Sequence, residues 1–193
     1  MNRIITKTDE QKKQRKNQLI IGIILILVMI VSTFGIVVNS FGDKKNSNKI
    51  NYNGYEFVNQ NGVWVLNAQN ISFIFKYNPL ELENFSINST QVNKLDSYSG
   101  KPLYIYSEDS LATSEIYRNI QPFALRIQSA CLDEKNCPED LPIKTCNDNF
   151  IIIKTSNTSQ ITQQDNCVFI EGNGEDLIKT SDLFIYKIFN IKS

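Results

Sequence analysis

Residues 19–38, LIIGIILILVMIVSTFGIVV, run for twenty positions without a charged side chain, and only Ser32 and Thr33 carry hydroxyls. As a helix such a run rises about 30 Å, the thickness of a bilayer's hydrocarbon core. The apolar stretch of a secretory signal is shorter, about 7–15 residues, and ends at a small-residue cleavage site. Val38-Asn39-Ser40 is a poor version of that site, so the run reads as a retained anchor rather than a cleaved signal. No cysteine follows it closely, which argues against a lipoprotein anchor.

Orientation follows from the flanking basic residues. Arg3, Lys7, Lys12, Lys13, Arg15 and Lys16 precede the run, whereas Lys44, Lys45 and Lys49 follow it. The larger cluster is expected to stay in the cytoplasm, which puts the rest of a single-pass chain outside the cell membrane. The expected organisation is a disordered basic tail over 1–18, a transmembrane helix over 19–38 in contact with the lipid bilayer, a flexible linker over 39–49 and an extracytoplasmic domain over 50–193.

The formal net charge of zero hides an asymmetry. From residue 50 onward there are 11 basic against 17 acidic side chains, a net charge of −6. An acidic domain argues against a nucleic-acid partner, whose phosphates require a basic face. The chain has no histidine. A Ser-His-Asp triad, a Cys-His pair, a histidine general base and any histidine-ligated metal are therefore excluded within it.

The domain opens with strand signals over 52–58, 63–67 and 71–77, with a hairpin turn at Asn61-Gly62, where both residues tolerate positive φ. Asn78-Pro79 begins a short turn reaching about Asn84, and residues 85–100 read as loop. A buried strand is expected over 102–107, followed by a helix capped by Asp109 or Ser110. Apolar positions recur at Ala112, Ile116, Ile120, Phe123, Ile127 and Ala130, which predicts a helix through to residue 130 that Pro122 should kink or break. The competing reading ends it near Ile120 and makes FALRIQ a strand. Strands over 149–155 and 164–172 precede a last helix over 175–189, whose inner face is Leu177, Ser181, Phe184, Ile185 and Ile188. The class is α+β, in the order βββ-βα-ββα, on a single mixed sheet with helices packed against it.

Four cysteines remain: Cys131, Cys137, Cys146 and Cys167. Their gaps of five, eight and twenty residues supply neither knuckle of a four-cysteine zinc site and no Cys-x-x-Cys redox centre. An even number outside the membrane reads as two disulfides. If 149–155 and 164–172 formed a hairpin turning at Ser156-Asn157, opposed residues would sum to 313, as Cys146 and Cys167 do. Cys131–Cys137 then follows by elimination.

Asn-x-Ser/Thr occurs at Asn70, Asn84, Asn88 and Asn157, and the last three lie in expected loops as candidate glycosylation acceptors. Chance alone yields roughly three such sites at this composition, so their number carries no weight. Asp133, Glu134, Glu139 and Asp140 lack the ligand spacing of a calcium loop. IEGNGED at 170–176 has two glycines before a helix but no phosphate-loop lysine. Glu108-Asp109 reads as a helix cap before it reads as an acid–base pair, and Tyr104, Tyr106 and Tyr117 suit a core or an interface. No catalytic constellation, metal site or cofactor motif emerges. The expected function is a membrane-anchored binding or assembly module for a protein partner outside the cell. An extracytoplasmic carboxylate- or metal-dependent hydrolase and a thiol redox protein are the alternatives.

Overall fold

A computed structural model describes residues 20–26, 29, 48–68, 70–133, 137–138 and 140–192. Of the expected span 19–38, residues 20–26 and 29 are helical, and the remaining positions lie outside the described residues, as do the tail 1–18 and linker positions 39–47. Among the described residues no helix is long and apolar enough to cross a membrane.

Four strands begin the folded unit: β1 Lys49–Tyr52, β2 Tyr55–Gln60, β3 Val63–Ala68 and β4 Ile71–Phe75, in an antiparallel meander. Asn61 and Gly62 join β2 to β3 with φ of 54° and 84°, as the sequence predicts. Asn53 and Gly54 do the same between β1 and β2, with φ of 48° and 84°, so the strand expected over 52–58 straddles a second Asn-Gly turn. Ile50, Phe57, Leu66 and Phe73 lie in register along one row, and Trp64 opposes Phe75. This face of the sheet is apolar.

The second sheet holds β5 Asn88–Ser89, β6 Pro102–Ser107, β7 Arg126–Ser129, β8 Phe150–Thr155, β9 Gln160–Gln164 and β10 Cys167–Gly172, in the order β5-β9-β10-β8-β6-β7. The single mixed sheet expected from the sequence is therefore two sheets. β10, β8, β6 and β7 run parallel, and β9 runs against β10. Because β10 lies between β8 and β9, the connection over 156–159 steps across it.

Two helices complete the unit: α1 Ser110–Ile120 and α2 Glu175–Ile188. The helix predicted through residue 130 stops at Ile120. Pro122 has no N–H to continue the ladder, and the amides of Phe123 and Ala124 fold back on the Ile120 carbonyl at 2.9 and 3.2 Å. The following residues are taken by the free edge of β6, to which β7 pairs in parallel, with Leu103 opposite Ile127. The periodicity at Phe123 and Ile127 arises because both pack on the core, the first from a turn and the second from a strand.

The helices lie between the sheets. Tyr186 of α2 meets Phe57 and Phe75 at ring distances of 5.9 and 4.4 Å, while Leu103, Ile105, Ile151, Ile153, Val168 and Ile170 close the core from the other side. Every α2 residue from Thr180 to Tyr186 is buried, more than the single inner face predicted, because a helix between two sheets has no wet side. β8 is buried on both faces, which explains its unbroken apolar run FIII. Its Phe150 and Ile152 join Tyr104, Ala130 and Cys167 in a second cluster on the far side of the sheet.

Candidate functional site

The second cluster is roofed by the segment that carries the cysteines. Cys131 is bonded to Cys137 with Cα atoms 5.6 Å apart, and Cys146 to Cys167 with Cα atoms 4.8 Å apart. No cysteine is free. The pairing matches the one expected, but the hairpin used to derive it does not exist: β8 and β10 are parallel, with Phe150 opposite Cys167. The two sulfurs meet because a turn at 145–148 delivers the chain into β8 beside the start of β10, where the Asn166 amide donates to the Cys146 carbonyl at 3.1 Å. The return limb of the loop is held to Cys131, whose amide donates to Pro142 and whose carbonyl accepts from Lys144, at 2.9 and 2.8 Å. Lys144 also sits 4.2 Å from the ring centre of Tyr104, and Arg126 donates to that phenol at 3.1 Å. Hydrogen bonding by Lys144, and then by Arg126, draws the Tyr104 hydroxyl below its ordinary value.

Between this loop and the start of α1 lies a cleft of about 780 Å³, at the carboxyl ends of β6 and β7. Parallel sheets habitually present ligands at this end of their strands. Ile105, Ile127 and Ala130 form an apolar floor, Pro138 and Leu141 of the disulfide loop form one lip, and Tyr117 stands on the helix side. Among the described residues Glu108 and Asp109 are the only charged groups lining it. Both have a structural duty. Asp109 caps α1 by accepting from the Ala112 amide at 2.8 Å, and Glu108 accepts from the Thr155 amide at 3.0 Å, which clasps the ends of β6 and β8. Of the two caps predicted, Asp109 and Ser110, it is Asp109 that serves. The hydroxyls of Tyr106, Tyr117, Ser110 and Ser129 hold no protein partner among the described residues. Free carboxylate oxygens, phenols and hydroxyls around an apolar floor suit a ligand that donates hydrogen bonds or carries positive charge, and they repel an anion. A smaller recess of about 150 Å³ lies behind Tyr106 and Glu108, lined by Cys131 and Lys154 among others.

The remaining candidates fall elsewhere. Asn84, Asn88 and Asn157 are exposed, and Asn88 opens β5 rather than a loop. Glu134 and Glu139 lie outside the described residues, and no group of three or more acidic or cysteine side chains among the described ones is arranged to hold a metal ion. Gly172 ends β10 where a Cβ would come within 2.9 Å of the Leu177 backbone, and Gly174 starts α2 at a φ of 52°. This glycine pair is a tight strand-to-helix turn.

One cluster has no counterpart in the sequence reading. Glu115 and Arg118 of α1 face Asp182 of α2, with Asn119 beside them on α1, and all but Arg118 are buried. Arg118 pairs with Glu115, and its Nε donates to the Ile74 carbonyl at 3.0 Å. Asn119 treats the edge of β4 as a neighbouring strand would, accepting from the Ile74 amide at 2.9 Å and donating to its carbonyl at 2.7 Å. Asp182 accepts from the Tyr77 amide at 2.8 Å. Burial, and then the Glu115 carboxylate, drive the Asp182 carboxyl well above the usual carboxylate range. The helical spacing of Glu115 and Arg118 was visible, but the partner sixty-odd residues away was not.

Compared with known proteins, the chain matches no family model, no curated sequence and no solved structure.

Proposed function

We propose that the chain is a single-pass membrane protein, anchored through residues 19–38, that holds its disulfide-stapled domain outside the cell as a binding or assembly module for a protein partner. The observation that carries this reading is the closure of both cysteine pairs, since such crosslinks persist in oxidising compartments and are rare in reducing ones. The charge-free run of twenty residues and the excess of basic residues before it supply the anchor and its direction. The cleft beside the disulfide loop supports a binding role: it joins an apolar floor to acceptors that would receive a donor-bearing or cationic segment of a partner. A carboxylate hydrolase is less well supported, because Glu108 and Asp109 already accept backbone hydrogen bonds. On this topology the exposed Asn84, Asn88 and Asn157 are open to a glycosylation machinery where the host has one.

Thiol labelling tests the reading. Intact and lysed cells are treated with a membrane-impermeant maleimide before and after reduction. Four thiols that react only after reduction, and on intact cells, are the expected result. Labelling without reduction, and only after lysis, would overturn both the topology and the module.

A further inference from the structure

Against a domain of net charge −6, one cleft is cationic. Lys187 and Lys192, at the end of α2 and just beyond it, and Lys94, before the turn Leu95–Ser97, line a space of about 310 Å³ together with Thr90, Gln91 and Asn190. Among the described residues no acidic side chain lines it. Lys192 donates to the Pro79 carbonyl at 3.3 Å, whereas the ammonium groups of Lys94 and Lys187 have no partner among the described residues. Burial holds the Lys192 ammonium below its ordinary value, while the Glu83 carboxylate pulls it up and the charge of Lys187, the smaller of the two, pushes it down.

Three lysines line this one space, and like charges gathered in this way repel one another; Glu83, which acts on Lys192, is not among the residues that line it. Lys187 sits at the negative end of the α2 dipole and Lys192 donates to the Pro79 carbonyl, which leaves Lys94 without a structural duty among the described residues. A concave site lined by one sign of charge concentrates ions of the other sign. The neutral donors narrow the class further. The amides of Gln91 and Asn190 and the Thr90 hydroxyl, added to three ammonium groups, exceed what the two oxygens of a carboxylate accept, whereas a tetrahedral oxyanion takes three or more donors at once.

We infer that the cleft bounded by Lys94, Lys187 and Lys192 is a binding site for a phosphate group. The phosphate has two sources, a soluble phosphate compound or the headgroup of an anionic lipid. An apolar cavity of about 210 Å³ opens on the next residues of the same two segments, Leu95 and Ile191, beside Phe73, Phe123 and Phe189. The site is separate from the cleft at the ends of β6 and β7, and it stands whichever side of a membrane the domain occupies.

The test follows acylation rates of individual lysines by mass spectrometry, with the full chain purified in a non-ionic detergent. Inorganic phosphate is compared with potassium chloride of equal ionic strength, and phosphatidylglycerol mixed micelles with phosphatidylcholine ones. Slowing of Lys94, Lys187 and Lys192 by about threefold or more, with the exposed Lys76 and Lys101 unchanged, is expected. Protection by inorganic phosphate identifies a soluble ligand, and protection confined to phosphatidylglycerol identifies a headgroup. The paired change Lys94→Gln and Lys187→Gln, both lining the cleft, should abolish the protection of Lys192 while the chain keeps a cooperative thermal unfolding transition, shifted only by the small loss of the Lys187 contact with the α2 dipole. No protection, or slowing equal to that of Lys76 and Lys101, would overturn the inference.

Discussion

Asp182 carries a carboxyl group into a layer closed on both sides by sheets, and its surroundings decide which form it takes. Glu115 and Arg118 face it from α1, the Tyr77 amide from the chain beyond β4, and Tyr186 lies one turn further along α2. Burial and the Glu115 charge outweigh the Tyr77 hydrogen bond and the Arg118 charge, so the group titrates above its unfolded value of about 3.8. A carboxyl raised on folding contributes stability that is full below the unfolded value and lost as pH rises through the folded one. Asp182→Asn should therefore flatten the fall in stability between mildly acidic and alkaline pH, and thermal unfolding of both forms across that range measures it. A wild-type curve that falls no faster than the variant's would refute the assignment. Nothing local in TSDLFIY marks Asp182 as different from a solvated helix residue. Its environment is built by α1 and by the first sheet, which no window of sequence contains.

At the scale of elements, the sequence was informative where a signal was local. The Asn61-Gly62 hairpin, β6 at Pro102–Ser107 and the Asp109 cap all form where the residues point to them. The second Asn-Gly turn at 53–54 was equally legible and was absorbed into a strand. β7 was legible only in the competing reading that ends the helix near Ile120 and makes FALRIQ a strand; its pairing with β6 was hidden, because helical spacing ran through the same residues by coincidence. Parallel pairing of β8 with β10 was likewise hidden, since two adjacent strand signals read first as a hairpin. The cleft inherits this limit: its floor is made by β6 and β7 together. Asn119 shows how an element is fixed by one side chain. Asn119→Ala leaves the Ile74 amide without its partner and its carbonyl with Arg118 as the remaining donor, at a cost of about 1–3 kcal/mol, measurable by urea unfolding. Ser72 on the same strand, bonded only to exposed Asn67, should tolerate alanine.

Across the whole molecule, the two crosslinks differ in reach. Cys146–Cys167 spans 21 positions and Cys131–Cys137 only 6, so in the chain-entropy model their loss costs about 3 and about 2 kcal/mol. Replacing each pair by serine should reproduce that order in chemical unfolding. The longer link also ties β10 to the chain entering β8, so its loss should lower the protection of β10 amides from hydrogen exchange, while the shorter link's loss should loosen only the roof over Tyr104 and the lip of the cleft.

The chain enters this body through β1, an edge strand of four residues with no fully buried side chain, held to β2 alone and backed by one further bond from the Asn59 amide to the Asn48 carbonyl. A pull arriving along the chain from residues before 48 would load those ladder bonds one after another, starting at Lys49 opposite Val58. Peeled free, the strand lengthens the connection by about 13 Å and leaves Phe57, Leu66 and Phe73 packed. On the proposed topology β1 would act as a release link under tension, yielding first and sparing the core from the load.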